Sequence, residues 1–168
     1  YTISYNNDVL LENNSLNLNV GNDILGQNPI LSSKKQTKVN DELTPVVPLK
    51  FSSVRNEYNQ LTLNFKGNYA VEFRAFNNGI AYRFVTNKKG EIEIMGEDIS
   101  LNLPSKYLLH LQQSGNFKTA YEEPYTHVNS TDWKSDDKMS ELPILIDTKT
   151  QYKILISESD VADYHVCF

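Results

Sequence analysis

A hairpin signal in the middle of the sequence limits the possible folds more than any other feature of this chain. Residues 69–76 read Tyr-Ala-Val-Glu-Phe-Arg-Ala-Phe, and residues 80–85 read Ile-Ala-Tyr-Arg-Phe-Val. Apolar side chains recur at every second position of the first run, which places them on one face of a strand. Residues 77–79 (Asn-Asn-Gly) separate the two runs. Asn-Gly between alternating runs is a strong signal for a tight turn, so an antiparallel hairpin is predicted here.

Other short segments have the same strand-like character. Strands are predicted at 16–20, 61–65, 91–95, 107–111, 143–147 and 151–157, the last two forming a hairpin through 148–150. No window keeps a helical period over three turns. Two polar stretches lack a pattern: 21–46 is predicted to be a loop or a poorly ordered edge segment, and 126–141 a second long loop. Many strands without helices predict an all-β antiparallel sandwich.

Composition excludes several classes of function. The chain has 168 residues, which suits one domain, and its net charge of −5 comes with no concentration of Lys or Arg on one segment. A nucleic-acid partner is therefore not expected. Cys167 is the only cysteine, so neither an internal disulfide nor a cysteine-based zinc site is available. No run reaches the roughly 18–20 apolar residues of a membrane span, so membrane insertion is not expected.

Six segments, taken in order, resemble one known family. They are 1–5, 9–11 with 15–18, 55–61 (Arg-Asn-Glu-Tyr-Asn-Gln-Leu), 73–84, 121–125 (Tyr-Glu-Glu-Pro-Tyr) and 158–164 (Glu-Ser-Asp-Val-Ala-Asp-Tyr). Together they are similar to the N-terminal domain of glycoside hydrolase family 97. The chain departs from the family at Asn17, which replaces a Gly, and at 46–48 (Val-Val-Pro), where relatives often have Trp and Gly. The Ser-Pro-Asp/Asn-Gly opening of the family is also absent.

The resemblance implies a fold and a role for the whole chain. It implies a galactose-mutarotase-like β-super-sandwich, incomplete at both ends, with residues 1–168 forming a single domain. The family hydrolyses α-glycosidic bonds, as α-glucosidases or α-galactosidases, using two carboxyl groups of a (β/α)8 barrel. That barrel and the C-terminal β-domain are not in this sequence, so the chain alone is expected to be inactive. The implied partners are the barrel of the same polypeptide and an α-linked oligosaccharide, in the periplasm or at the surface of a Gram-negative bacterium.

The resemblance also implies a calcium ligand. In the family, one Glu of the N-terminal domain reaches the active site and binds calcium beside the catalytic carboxylates. The motif places this role on Glu122, with Tyr125 keeping the Glu-x-x-Tyr spacing. Glu123 is the rival assignment, because an ungapped match leaves an ambiguity of one residue. Calcium takes about six to eight oxygen ligands, so it readily joins carboxylates from separate domains. Without the resemblance, Glu122 reads as a solvated surface carboxylate.

Five further residues are candidates for the substrate cleft, each with a plain structural alternative. Tyr125 and His127 follow Glu122 closely, and His127 alone is as readily an exposed or structural histidine. Trp133 is able to stack on a sugar ring or to serve as a packing anchor. Glu158 and Asp163 help shape the cleft, or they cap a strand and face solvent.

Two more groups of polar residues have structural interpretations. The three histidines of the chain show no metal-ligand spacing to one another; they are His110, His127 and His165. Arg55 and Arg83 are expected to pair with Glu57 or Glu72 across strands.

Two other classes of function remain open at this point. A self-sufficient carbohydrate-binding module would need a row of exposed aromatic side chains, and the sequence offers Trp133 and scattered Tyr. A structural or adhesive sandwich would have no ligand. Sequence on either side of these 168 residues separates the accessory domain, the binding module and the structural sandwich, because of these three only the accessory domain requires a following barrel.

Overall fold

The computed structural model describes residues 1–134 and 138–159, and within these ranges it contains strands and no helix. The strands are β1 Ile3–Tyr5, β2 Asp8–Leu11, β3 Ser15–Val20, β4 Asp23–Leu25, β5 Leu31–Leu43, β6 Val54–Phe65, β7 Tyr69–Ala75, β8 Ile80–Thr86, β9 Ile94–Ser100, β10 Leu108–Ser114, β11 Tyr125–Asn129, β12 Met139–Ser140, β13 Ile144–Asp147 and β14 Lys153–Ile156. The predicted all-β, antiparallel, sandwich-type fold is confirmed.

The chain divides into two compact units. The first comprises Tyr1–Leu16 with the residues from Gly96 onwards, and the second comprises Asn17–Met95. The chain passes from one unit to the other within β3 and again between Met95 and Gly96 of β9.

The second unit contains the predicted hairpin. Its main sheet has the order β5-β6-β7-β8, and β7 pairs with β8 from Tyr69↔Thr86 to Ala75↔Ile80. The Phe76 amide donates to the Gly79 carbonyl at 2.8 Å and closes the turn. A short hairpin of β3 and β4 belongs to the same unit, with Leu18 opposite Leu25 and both buried.

The predicted ion pairs of this sheet are found, one of them in a different arrangement. Arg83 donates to Glu72 across β7 and β8 at 2.7 Å, as expected. Arg55 lies 3.7 Å from Glu57, but both belong to β6, so this pair runs along one strand and not across two.

The prediction of a loop over 21–46 is wrong, because the segment contains β4 and the long strand β5. β5 pairs with β6 through twelve registered positions and forms an edge of its sheet. Nearly all of its side chains are exposed, so neither face shows an apolar pattern in the sequence. Backbone hydrogen bonds to β6 hold it in place, and such bonds leave no trace in residue type.

The strand predicted at 91–95 begins later, at Ile94, and runs to Ser100. β9 lies beside β3 in its sheet, and β3 ends at Val20. Gly21 turns away with a φ of 57°, and its amide makes a last contact with the Glu93 carbonyl at 3.0 Å. Residues 91–93 therefore lie beyond the end of β3. Their alternating apolar and charged side chains do not form a strand without a neighbouring strand to pair with.

The first unit is built around a sheet of order β11-β10-β13-β14, with β12 also paired to β10. The predicted hairpin of β13 and β14 is confirmed, with Ile144 opposite Ile156 and Asp147 opposite Lys153. One face of the sheet joins the core cluster, which contains Leu11, Tyr107, Leu109, Leu111, Ile144 and Ile146. Complete burial of such a side chain stabilises the fold by about 1.5–3 kcal/mol, so this cluster fixes the sheet.

The opposite surface of this sheet, here called the outer face, follows from strand alternation. β10 contributes Leu108, His110 and Gln112 to it, alternating with the buried Leu109 and Leu111. Registered partners extend the outer face to the neighbouring strands: Tyr125, His127 and Asn129 on β11, Leu145 and Asp147 on β13, Lys153 and Leu155 on β14.

Two further sequence predictions need correction or fall outside the described ranges. The loop predicted over 126–141 is wrong in part, because most of β11 and all of β12 lie within it. Every residue of β11 except Val128 is exposed, so the strand shows no apolar alternation. Asp163 and His165 lie outside the described residues, as does Cys167.

Candidate functional site

The candidate calcium ligands lie on the loop 115–124, which joins β10 to β11 in the first unit. Side-chain to backbone hydrogen bonds shape this loop. Ser114 donates its hydroxyl to the Asn116 carbonyl at 2.6 Å, and the Lys118 amide donates to Asn116 Oδ1 at 2.8 Å. Such local bonds are typical of Ser and Asn in turns, and they explain why the chain leaves the sheet after Ser114.

Tyr121 marks the point where the loop turns towards Glu122. Its φ is 56°, in the left-handed region that a bulky residue rarely adopts. Gln112 on β10 donates from Nε2 to the Tyr121 carbonyl at 3.0 Å, and the Tyr121 amide donates to Thr119 Oγ1 at 3.2 Å. A strained backbone of this kind costs about 1–3 kcal/mol and persists where surrounding contacts impose it. The sheet therefore holds the residue immediately before Glu122 in a defined conformation.

Glu122 and Glu123 are both exposed, and neither carboxylate bonds to another described residue. Carboxylate oxygens are the donors that calcium prefers, so both residues suit the ion chemically. Within 1–134 and 138–159, however, no three His, Cys, Asp or Glu side chains gather into a group that would hold a metal. Glu122 and Glu123 therefore remain candidate ligands, and the geometry of the loop does not distinguish one from the other.

Tyr125 and His127 lie on β11, directly after this loop, and both side chains are exposed on the outer face. Tyr125 is opposite Gln112, the same residue that holds the Tyr121 carbonyl. Strand β10 therefore contacts the chain on both sides of this segment: it binds Tyr121, just before Glu122, and it pairs with Tyr125 and His127.

His110 and His127 are brought together by the pairing of β10 with β11. They are registered partners, their Nδ1 atoms are 2.7 Å apart, and their ring centroids are 4.7 Å apart with the planes at 72°. The sequence shows no metal-ligand spacing among the histidines, and it did not predict this contact. Their separation along the chain carries no motif, and the pairing depends on β11, which the sequence did not reveal.

Strand register places Glu158 and Trp133 away from Glu122. Glu158 is half-buried, two residues after β14, and leaves the sheet at the same end as Tyr125. Three strand spacings separate β14 from β11, which amounts to about 14 Å. Trp133, 37% exposed, follows the opposite end of β11. Neither residue adjoins Glu122 along the sheet.

Asp147 and Tyr107, both in this unit, have pKa values shifted by their surroundings. Asp147 Oδ1 accepts hydrogen bonds from the Lys153 ammonium at 2.6 Å and from the Lys149 amide at 2.7 Å. These bonds lower the pKa of Asp147 to about 2. Burial raises the pKa of Tyr107, whose hydroxyl donates to the Leu10 carbonyl at 2.7 Å. Both groups stabilise the sheet and lie outside the loop 115–124.

Comparison with known proteins identifies the family. The family model described as glycosyl-hydrolase 97 N-terminal matches residues 1–168. The chain belongs to this family. The resemblance read from its sequence motifs is thereby confirmed.

Two known proteins similar to this family 97 N-terminal domain are much longer than it is. It is 31% identical over 173 aligned residues to a retaining α-galactosidase of Bacteroides thetaiotaomicron, covering 98% of this chain and 26% of that protein. The crystal structure of a β-arabinopyranosidase matches with a TM-score of 0.79 and 22% identity, over 93% of this chain and 27% of that one. At that identity the second match shows the fold alone. The family 97 domain spans about a quarter of the length of both proteins.

The described residues of this family 97 domain contain no helix long and apolar enough to cross a membrane.

Proposed function

We propose that this domain is the accessory N-terminal part of an α-glycoside hydrolase, where it packs on the catalytic barrel and donates one carboxylate to a calcium site. Family membership and the coverage of about a quarter of an α-galactosidase support a larger enzyme. The observation that favours the calcium role is the exposed carboxylate of Glu122, which bonds to no other described residue and follows a strained residue. A carboxylate held this way is free to complete a site formed by another domain.

In this proposal Gln112 on β10 and two residues of the loop, Tyr121 and Glu122, have different roles. Gln112 fixes the Tyr121 carbonyl, and the left-handed turn at Tyr121 then presents Glu122. Glu122 would hold the calcium ion, with Glu123 as the alternative ligand. When bound, the ion would orient the barrel carboxylates that share it and stabilise negative charge near them.

The substrate proposed for the enzyme is an α-linked oligosaccharide, with an α-galactoside as the first choice. The 31% identical relative is a retaining α-galactosidase, and this favours a galactoside over a glucoside. Tyr125 is the best placed of the cleft candidates. It is 55% exposed and lies three residues after Glu122, at the start of β11. For the enzyme as a whole we propose the periplasm or the surface of a Gram-negative bacterium.

Calcium binding tests the division of the site between two domains. One or two loop carboxylates are far fewer than the about six to eight oxygens that calcium prefers, so the 168-residue chain should bind the ion weakly. The enzyme that contains this domain together with its barrel should bind one calcium ion tightly. Calorimetry on both proteins makes the comparison. A sub-micromolar site in the 168-residue chain would show that the ligands have been assigned wrongly.

One observation favours a second function, direct carbohydrate binding by the domain. Phe117, Tyr121 and Tyr125 are exposed by 67%, 53% and 55%, and all three belong to the loop 115–124 or the first residue after it. Exposed aromatic rings near one another suit stacking on sugar rings. Binding of the isolated chain to galacto-oligosaccharides, abolished by Tyr125→Ala, would support this function over the accessory role.

A further inference from the structure

We infer that His110 and His127 form a binding site for one divalent transition-metal ion, of the class that imidazole ligands take: copper, nickel or zinc. The site is distinct from the carboxylates of the loop 115–124, and the inference does not rest on the proposed function. Its starting point is the arrangement of the two rings on the outer face.

The two imidazoles contact each other through the Nδ1 atom of each ring. With Nδ1 to Nδ1 at 2.7 Å, one nitrogen donates a proton and the other accepts it, so a single proton lies between two lone pairs. A metal ion takes the place of this proton when both rings are neutral, and the displaced proton moves through water to Nε2 of the ring that carried it, so that each ring keeps one proton. Zinc to nitrogen bonds of about 2.0–2.1 Å in tetrahedral geometry would place the nitrogens roughly 3.3 Å apart. The rings need to open by about 0.6 Å, which small rotations about the soft χ2 torsions provide.

The strands fix the pair in place. His110 and His127 are in the middle of five consecutive registered pairs between β10 and β11. Leu109 and Leu111, on either side of His110, are buried in the core. The two ligands are therefore presented by rigid strands, which lowers the entropy lost when an ion binds.

The surroundings suit a cation with solvent-filled coordination positions. The neighbouring pairs on the outer face, Gln112 with Tyr125 and Leu108 with Asn129, are uncharged. Beyond His110, the registered residue of β13 is Leu145. Two charged residues of the same face, Asp147 and Lys153, are bonded to each other. No Lys or Arg at these adjacent positions repels an ion, and the exposed His127 leaves the site open to water.

The donor set also determines which ions bind. Two protein nitrogens leave the remaining positions to water, so the site should be exchangeable and not a tight structural site. Neutral imidazole suits copper, nickel and zinc, and affinity should follow the order Co²⁺ < Ni²⁺ < Cu²⁺ > Zn²⁺. Calcium prefers oxygen ligands and should not compete.

Titration of the 168-residue chain with Ni²⁺ and with Zn²⁺ tests the inference, by calorimetry near neutral pH. His110→Gln and His127→Gln should each weaken binding by roughly 10–100-fold, since either change leaves a single imidazole. The double variant, which keeps neither imidazole, should bind at least as weakly as the weaker single variant. His165→Gln is the matched control and should bind like the unaltered chain. Cu²⁺ bound to the unaltered chain should show coupling to two imidazole nitrogens in its electron paramagnetic resonance spectrum.

Three outcomes would overturn the inference. The first is an absence of Ni²⁺ and Zn²⁺ binding by a folded chain, which would make the pair a proton-sharing contact alone. The second is undiminished binding in the double variant. The third is loss of binding in His165→Gln with His110→Gln unaffected. Thermal melting of every variant separates loss of a ligand from loss of the fold.

Discussion

Single side chains of the first unit show how polar groups are accommodated next to its core. Tyr107 is only 3% exposed, yet its hydroxyl is satisfied by the Leu10 carbonyl, which connects the start of β10 to β2. Thr148 is fully buried at the β13–β14 turn, and its hydroxyl donates to the Tyr152 carbonyl at 2.7 Å. Buried polar groups of this kind stabilise a fold as long as both partners are present.

Tyr107→Phe should therefore destabilise the domain. The substitution keeps the ring but leaves the Leu10 carbonyl without its partner, which costs about 1–3 kcal/mol in the free energy of unfolding. Tyr125→Phe is the matched control, because its side chain is 55% exposed and its hydroxyl bonds to no described residue. Denaturant unfolding measures both variants. Equal stability of Tyr107→Phe and Tyr125→Phe would contradict the role given to the hydrogen bond.

At the scale of the strands, the sequence revealed elements whose two faces differ. Both predicted hairpins were found: β13 and β14 alternate between more and less buried positions, and residues 71–74 of β7 alternate between apolar and charged side chains. β5 and β11 were missed because nearly all of their residues are exposed. Their positions depend on backbone pairing with β6 and β10, which residue type does not encode. β5 also carries Lys34, Lys35 and Lys38, and lysines on an edge strand discourage pairing with another chain.

The β13–β14 hairpin should lose stability in acid through Asp147. Its pKa is about 2 in the folded protein, against about 3.9 in an unfolded chain. A lowered pKa contributes stability that is complete above about pH 4 and is lost as the pH falls towards 2. Asp147→Asn should therefore lower stability at pH 7, and the difference from the unaltered chain should shrink between pH 4 and pH 2.

Asp8→Asn is the control for this pH dependence, because Asp8 is exposed on β2 and its carboxylate bonds to no described residue. Its unfolding free energy should follow that of the unaltered chain at each pH. A gap between Asp147→Asn and the unaltered chain that stays constant from pH 7 to pH 2 would rule out a contribution from this carboxylate's ionisation.

For the whole molecule, the family could be read from motifs in order, but the site could be read only in part. The motif singled out Glu122, which is exposed on the loop 115–124, while its calcium role stays a prediction. The contact between His110 and His127 was beyond sequence reasoning, since it joins residues 17 positions apart through an unrecognised strand. Functional groups that depend on long-range pairing become visible only when the register is known.

The 168-residue chain should be catalytically inert. The two carboxyl groups that cleave a glycosidic bond are expected on the barrel, and this chain contains about a quarter of its relatives' length. Assays with p-nitrophenyl α-galactoside and p-nitrophenyl α-glucoside should give rates equal to buffer, with the complete enzyme as the positive control. Turnover by the chain alone, abolished by substitution of its own carboxylates, would refute the accessory role.

The central claim is that Glu122 completes a calcium site in the enzyme that contains this domain, and a matched pair of substitutions tests it most directly. In the complete enzyme, Glu122→Ala should lower activity by roughly 10–100-fold or more, with partial rescue by excess calcium. Both side chains are exposed and neither carboxylate bonds to another residue within 1–134 and 138–159, so neither change should alter the melting curve of the isolated domain. Glu123→Ala should be nearly silent. If Glu123→Ala is instead the damaging change, the ligand is the neighbouring residue; if neither affects activity or calcium dependence, this loop does not contribute to a calcium site.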